Sequence, residues 1–170
     1  IAAAFLATVL LGGSLLGGMD GRVRAAQAVF DANNLGRSGM ASQGVLDMMR
    51  TLPDILDEDA VVLGDPKAGA MYSQMLGQRR AYFPQLSLMN NRAQQDVLTQ
   101  RFNQINTDPE VCEVLKEAGI THYFASPDGE YYGQTRSKRM PGLYNVDTSQ
   151  GFELVAQGGE GRLYRITACD

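Results

Sequence analysis

The sequence contains few of the residues that hold metals or act as catalytic bases. Its 170 residues include one histidine, His122, and two cysteines, Cys112 and Cys169. Zinc and redox sites use closely spaced cysteines, and a nucleophilic site pairs its histidine with a serine or cysteine motif; the sequence has neither pattern. We therefore expect no metal site, no cofactor and no catalytic residue, and we interpret His122 as a structural residue of a predicted strand.

Basic charge is also too low for a general nucleic-acid-binding surface. Lysine is scarce, and the formal net charge of the chain is −4. Proteins that bind nucleic acid neutralise phosphates with a basic surface, so we expect no nucleic-acid partner. The chain lacks both a Walker loop and a Gly-x-Gly-x-x-Gly dinucleotide turn. Apolar residues make up 44% of the sequence, which is enough for one domain with a hydrophobic core.

Charge is absent altogether from the first 18 residues. As a helix this segment would span about 27 Å, close to the roughly 30 Å of a bilayer's hydrocarbon core. Its two glycine pairs would weaken a helix in water and are better tolerated in a membrane. We expect residues 1–18 to be the tail of a transmembrane helix, or alternatively an apolar helix packed on the domain; if exposed, they would favour self-association. Residues 19–44 are predicted to be a helical connector, and residues 45–170 an α/β domain.

A short apolar strand, Val61–Leu63, is the centre of the predicted domain. Asp65 and Pro66 follow it, and these residue types cap and begin helices. The pattern predicts a helix from Pro66 to Leu76 that buries Met71, Tyr72 and Met75, and then a strand over Gln78–Phe83. Two strands joined through a helix lie parallel in one sheet.

The rest of the chain predicts helices and strands around this unit. The first is an amphipathic helix that Pro53 interrupts, with one apolar face made of Val45, Met48, Met49, Leu52, Ile55 and Leu56. Two further helices follow, one capped by Asn90 and one between Asp108-Pro109 and Gly119, and then a strand over Ile120–Ala125. The chain ends in a hairpin of two strands, Phe152–Gln157, with Leu154 on its apolar face, and Arg162–Ala168. The predicted fold is α/β: a three-layer sandwich with a mostly parallel sheet, flanking helices and a C-terminal antiparallel hairpin.

Four carboxylates, Asp54, Asp57, Glu58 and Asp59, precede the first strand. Paired carboxylates can serve in acid–base chemistry. A cluster at a helix end is more often a solvated corner of the fold, and we favour that interpretation.

Two segments lie where ligands bind in open α/β sheets, beyond the carboxyl ends of the strands. They are the turn Gly64–Gly69 and the 25-residue segment Ser126–Gln150, which has no periodicity and is predicted to be a functional or solvated loop. Its tyrosines and arginines suit stacking on sugars and binding of phosphates. The candidate ligand-binding residues of the two segments are Asp65, Lys67, Tyr131, Tyr132, Arg136 and Arg139. The alternative is that Asp65 only caps the turn.

Several motifs together resemble a known family. They are Leu52-Pro53, Asp59–Pro66, Gly69, Tyr72, Leu76–Arg80, Phe83-Pro84, Asp108-Pro109 with Val111-Cys112, and Gly119–His122. Over residues 45–168 the chain resembles the C-terminal extracytoplasmic domain of large actinobacterial polytopic membrane proteins of unknown function. Those proteins are similar in organisation to membrane glycosyltransferases that use polyprenyl-phosphate sugars.

The resemblance implies a domain of the cell envelope, on the extracytoplasmic face of the cell membrane and next to its own transmembrane domain. Such a location favours a disulfide between Cys112 and Cys169 over two buried thiols. Catalytic carboxylates of such transferases are expected in the transmembrane part, so none is assigned here.

Two hypotheses for function follow. The first is an auxiliary domain that binds a glycan or a polyprenyl-phosphate sugar. The second is a structural or protein-interaction domain with no small-molecule ligand. A free-standing enzyme is the least expected, because the sequence shows no nucleophile–base or metal constellation.

Overall fold

The computed structural model describes residues 21–28, 40–86, 92–131 and 133–169, and it divides the chain into two compact units, residues 1–39 and 40–170. In the first unit, residues 21–28 are helical (α1) and exposed. The predicted transmembrane segment 1–18 and the predicted cap Asn90 lie outside the described residues. No helix among the described residues is long and apolar enough to cross a bilayer.

A five-stranded sheet forms the middle of the second unit. Its strands are β1 (Val61–Leu63), β2 (Arg80–Ala81), β3 (His122–Ala125), β6 (Phe152–Gly158) and β7 (Gly161–Ile166), in the order β2-β1-β3-β7-β6. Strands β2 and β3 lie parallel to β1, whereas β7 is antiparallel to both β3 and β6. A separate two-stranded pair consists of β4 (Glu130–Tyr131) and β5 (Gln134–Thr135).

Helices cover both faces of this sheet. They are α2 (Gln43–Arg50), α3 (Leu52–Ile55), α4 (Tyr72–Met75), α5 (Arg92–Arg101), α6 (Pro109–Ala118) and α7 (Arg136–Arg139), with 3₁₀ turns at Pro66–Ala68, Phe102–Gln104 and Pro141–Leu143. On one face Val61 and Leu63 pack with residues of α5 and α6, and on the other Val62 packs with residues of α2 and α3. The predicted α/β fold, with its mostly parallel sheet and C-terminal antiparallel hairpin, is confirmed.

The prediction of one continuous helix from Pro66 to Leu76 is wrong, because the structure has two short elements there. Gly69 has a φ of +100°, a left-handed conformation that ends the 3₁₀ turn, and α4 begins only at Tyr72. Between Gly69 and Leu76 the buried residues are Ala70 and Ser73, whereas Met71 and Tyr72, which were predicted to be buried, are only partly buried. Met75, which was predicted to be buried, is 62% exposed.

Two other apolar residues predicted to face the core are exposed. Ile55 lies at the end of the four-residue helix α3 and is 43% exposed. Leu154 is 56% exposed on β6, which is an edge strand of the sheet. The register of β6 shifts directly after Leu154, and Val155 and Ala156 both pack against the core cluster that contains Val62. A register shift of this kind interrupts the inside–outside alternation of a strand.

The predictions for Gln78–Phe83 and Ser126–Gln150 were also wrong in part. Only Arg80–Ala81 pairs with β1, and Gln78 has a positive φ of 49° that takes it out of extended geometry. The segment Ser126–Gln150 is not an irregular loop, since it contains β4, β5, α7 and a 3₁₀ turn. These elements have two to four residues each, too short for a periodicity in sequence to reveal.

The predicted helix α6 and the predicted disulfide are confirmed. Asp108 caps α6 by accepting a hydrogen bond from the backbone N–H of Glu110, and Gly119 ends the helix with a φ of +66°. Cys112 of α6 is bonded to Cys169, which follows β7, across 57 residues of sequence. The bond fixes α6 to the end of the hairpin.

We expect the double substitution Cys112→Ala/Cys169→Ala to lower the free energy of unfolding by about 2–4 kcal/mol, because the bond restricts the unfolded chain over a long loop. Urea denaturation under oxidising conditions measures the effect. The wild-type chain with a reductant is the control and should match the variant. An unchanged denaturation midpoint would contradict the prediction.

Candidate functional site

Asp65 holds together the turn that follows β1. Its side chain is 4% exposed, and Oδ1 accepts a hydrogen bond of 2.8 Å from the backbone N–H of Lys67. Its other oxygen, Oδ2, accepts a hydrogen bond of 2.7 Å from the hydroxyl of Tyr144. Burial, followed by the charge and hydrogen bond of Asp65, raises the pKa of Tyr144, so this hydroxyl stays a donor. The carboxylate therefore links the end of β1 to the segment around Tyr144.

Lys67 leaves this turn and contacts the β4–β5 pair. Its Nζ lies 5.3 Å from the centre of the Tyr131 ring and 3.4 Å from Oε1 of Gln134. The first contact is a cation–π interaction. The structure thus brings two predicted site residues together and adds Gln134, which sequence reasoning missed. Tyr132 lies outside the described residues.

The two predicted arginines lie on α7, directly after β5. The backbone N–H of Arg136 donates to the carbonyl of Gly129, and Nη2 of Arg139 donates to the carbonyl of Leu86. Within the described part of the chain, Nε of Arg136 and Nη1 of Arg139 are buried and have no hydrogen-bond partner. Buried donors of this kind cost free energy unless a partner satisfies them.

We refer to residues 128–139 as the Tyr/Arg segment. A cleft of about 400 Å³ runs along it and is lined by Gly133, Gln134, Thr135, Lys138 and Arg139. Asp128 connects the beginning of β4 to α7, because its carboxylate accepts hydrogen bonds from Gly129 and Ser137. Burial acts to raise the pKa of Asp128, but the hydrogen bonds outweigh it and the pKa is lowered. The Asp-Gly pair at 128–129 is a turn signal that could have located this residue from the sequence.

A second concavity lies beyond the carboxyl end of β3, where the sequence predicted one. This strand-end crevice has a volume of about 250 Å³ and is lined by residues including Ser126, Tyr144, Glu160, Arg162 and Tyr164. Tyr164 is 9% exposed, and its hydroxyl makes no hydrogen bond to any described residue. Tyr144 lines the crevice and also bonds to Asp65, so it joins the crevice to the turn after β1.

His122 lies at the other end of the sheet, where β3 begins. It is 8% exposed, and its Nδ1 lies 2.8 Å from Oγ1 of Thr121. Burial lowers the pKa of His122, Arg165 lowers it further, and Asp57 acts in the opposite direction. The carboxylates Asp54, Asp57, Glu58 and Asp59 are exposed, as predicted for a solvated corner. In the described ranges, no three His, Cys, Asp or Glu side chains are grouped closely enough to hold a metal ion.

These features define a three-layer α/β domain with a polar crevice and an arginine-rich segment near the carboxyl ends of its parallel strands. The chain belongs to a family of unknown function, DUF6541, whose sequence model matches residues 1–168. The predicted resemblance to a family of unknown function is confirmed to that extent. No curated protein and no solved structure shows significant similarity to the chain.

We expect Tyr144→Phe to lower the free energy of unfolding by about 1.5–3 kcal/mol, because it removes a hydrogen bond to a buried charge. Tyr123→Phe is the matched control. The Tyr123 hydroxyl donates to the neutral carbonyl of Leu143, so this change should cost only about 0.5–1.5 kcal/mol. Urea denaturation of both variants gives the comparison, and a larger loss for Tyr123→Phe would contradict it.

We also expect the chain to lose stability as the pH falls from 7.5 to 5.5. The pKa of His122 in the folded state lies below its ordinary value of 6.5, so below that pH the unfolded chain binds a proton that the folded chain resists. The stabilisation is complete above pH 6.5 and is lost as the pH falls towards the lowered pKa.

Urea midpoints at pH 7.5, 6.5 and 5.5 measure this dependence. His122 is the sole histidine, and the cysteines are bonded, so no other side chain has an ordinary pKa in this window. His122→Gln is the control and should flatten the dependence. An equal slope in both proteins would refute the assignment to His122.

Proposed function

We propose that the chain is an extracytoplasmic domain of an actinobacterial polytopic membrane protein organised like a membrane glycosyltransferase. In this proposal the domain has no catalytic role of its own. It assists in handling cell-envelope glycan or lipid-linked sugar by binding the phosphate-bearing headgroup of a polyprenyl-phosphate sugar. Its own transmembrane domain is then its immediate neighbour.

Two observations support the proposed location. Residues 1–18 carry no charge, a composition typical of a membrane-spanning segment. The Cys112–Cys169 disulfide favours an oxidising compartment, because such bonds are rare in the reducing cytoplasm.

The observation that carries the proposed ligand is a pair of unsatisfied guanidinium nitrogens on α7, one from each arginine. Nε of Arg136 and Nη1 of Arg139 are buried donors with no acceptor among the described residues. Phosphate oxygens satisfy guanidinium donors with strong, charge-assisted hydrogen bonds. Lys138 lines the adjoining cleft and adds a third positive charge.

The neighbouring groups suit the sugar part of such a ligand. Tyr131 presents an aromatic ring beside Lys67, and aromatic rings stack on sugars. The strand-end crevice offers the hydroxyl of Tyr164 and the charged side chains of Glu160 and Arg162 as hydrogen-bonding groups.

We expect the purified 170-residue chain to bind a short-chain prenyl-phosphate sugar more tightly than the same sugar without phosphate. Arg136→Gln and Arg139→Gln should each weaken this binding at least about tenfold, the size expected for a charge-assisted hydrogen bond. Isothermal titration calorimetry measures the affinities.

Arg50→Gln is the matched control. Arg50 is an exposed arginine on α2 that pairs with Asp47, so its loss changes the net charge equally and should leave binding unchanged. Equal affinity for the phosphate-free sugar, or equal weakening by Arg50→Gln, would contradict the proposal.

A structural or protein-interaction domain is the second candidate. It is favoured by β6, an edge strand of the sheet on which Leu154 is 56% exposed. Absence of binding to every sugar and phosphate probe would make this the better explanation.

A further inference from the structure

A cavity of about 270 Å³ opens at the amino ends of β1 and β3, at the opposite end of these strands from the strand-end crevice. The acidic corner and His122, which the sequence analysis assigned to structural roles, lie next to each other there. Asp57 and Asp59 from the acidic corner lie on its lining, and so does His122. The proposed function uses none of these residues.

One of the two ring nitrogens of His122 has no hydrogen-bond partner among the described residues. Oγ1 of Thr121 accepts a hydrogen bond from the backbone N–H of Val61. Its own proton has two acceptors within reach, the carbonyl of Val61 at 3.5 Å and Nδ1 of His122 at 2.8 Å, and the shorter contact makes the stronger hydrogen bond. We assign the ring proton to Nε2 on this basis. Nε2 makes no hydrogen bond to any described residue, although His122 is more than nine-tenths buried and lines the cavity. Nε2 itself is not sealed from solvent, so a ligand or water in the cavity can accept its hydrogen bond.

Charges of both signs surround this donor. Asp57 and Asp59 supply carboxylates, while Lys116 and Arg165 supply cations, and Arg165 also pairs with Glu153. A ligand that carries only negative charge would be repelled by the two carboxylates, and a ligand that carries only positive charge would be repelled by Lys116 and Arg165. A zwitterion can face each sign with its opposite charge.

The remaining lining is apolar and limits the size of the ligand. Leu115, Ile120 and Ile166 supply aliphatic surface. At about 30 Å³ per water molecule, the volume holds about nine waters, which is comparable with the non-hydrogen atoms of leucine.

We propose that this cavity binds a small zwitterion with an apolar side chain, of the α-amino-acid class. Its carboxylate accepts from Nε2 of His122 and faces Lys116. Its ammonium group donates to Asp57 or Asp59, and its side chain packs on the aliphatic lining. The site is independent of the phosphate site on the Tyr/Arg segment.

The sole histidine makes the test direct, because the imidazole signals of the whole chain in a nuclear magnetic resonance spectrum belong to His122. Leucine is titrated into the full 170-residue chain, with N-acetylleucine and leucinamide as analogues that each lack one charge. We expect leucine to shift the His122 signals to saturation, and each analogue to bind at least about tenfold more weakly. No shift with leucine, or equal binding of either analogue, would overturn the proposal.

Substitutions separate the proposed contacts from general charge effects. Asp57→Asn and Lys116→Gln should each weaken leucine binding at least about tenfold. Asp54→Asn and Arg50→Gln are the charge-matched controls, since Asp54 and Arg50 are exposed and do not line the cavity. Because all four side chains are exposed, the variants are expected to fold. Equal weakening by a variant and its control would overturn the proposal.

Discussion

The buried carboxylate of Asp65 is the constraint on which the arrangement at the carboxyl end of β1 depends. A charge removed from water is costly unless its oxygens are hydrogen-bonded, and here both oxygens have donors. One donor belongs to the turn after β1 and the other to Tyr144, 79 residues away in sequence. The carboxylate therefore fixes the position of the segment that follows the Tyr/Arg segment relative to β1. Lys67, held in the same turn, reaches the β4–β5 pair from there.

The sequence predicted the core and the helix ends well, because both are encoded locally. Val61–Leu63 is apolar on both faces, as a central strand between two helical layers must be. Asp108 and Gly119 are residue types with a strong preference for helix ends, and they mark the ends of α6. The prediction of one helix from Pro66 to Leu76 was wrong because it depended on the backbone conformation of a single residue. The left-handed Gly69 broke a predicted helix and so exposed Met75.

The candidate site was predictable in its residue types and not in its geometry. Asp65, Lys67 and Tyr131 were named because they follow strands, but the contact of Lys67 with Tyr131 spans 64 residues of sequence and exists only in the folded chain. The meeting of His122 with the acidic corner is of the same kind. Each feature taken alone favours a structural role, and only the position of β3 beside β1 brings them to one cavity.

The order of the strands also determines when the domain can fold. Strand β1 has its parallel neighbour β3 about 60 residues later, and β3 in turn pairs with β7 a further 40 residues on. Contacts this distant in sequence close slowly, because a long loop must be ordered before they form. During synthesis, which proceeds from the N-terminus, the domain therefore lacks a complete sheet until β7 has been made. Until then β3 has an unpaired edge, and exposed edges of this kind favour association between partly folded chains.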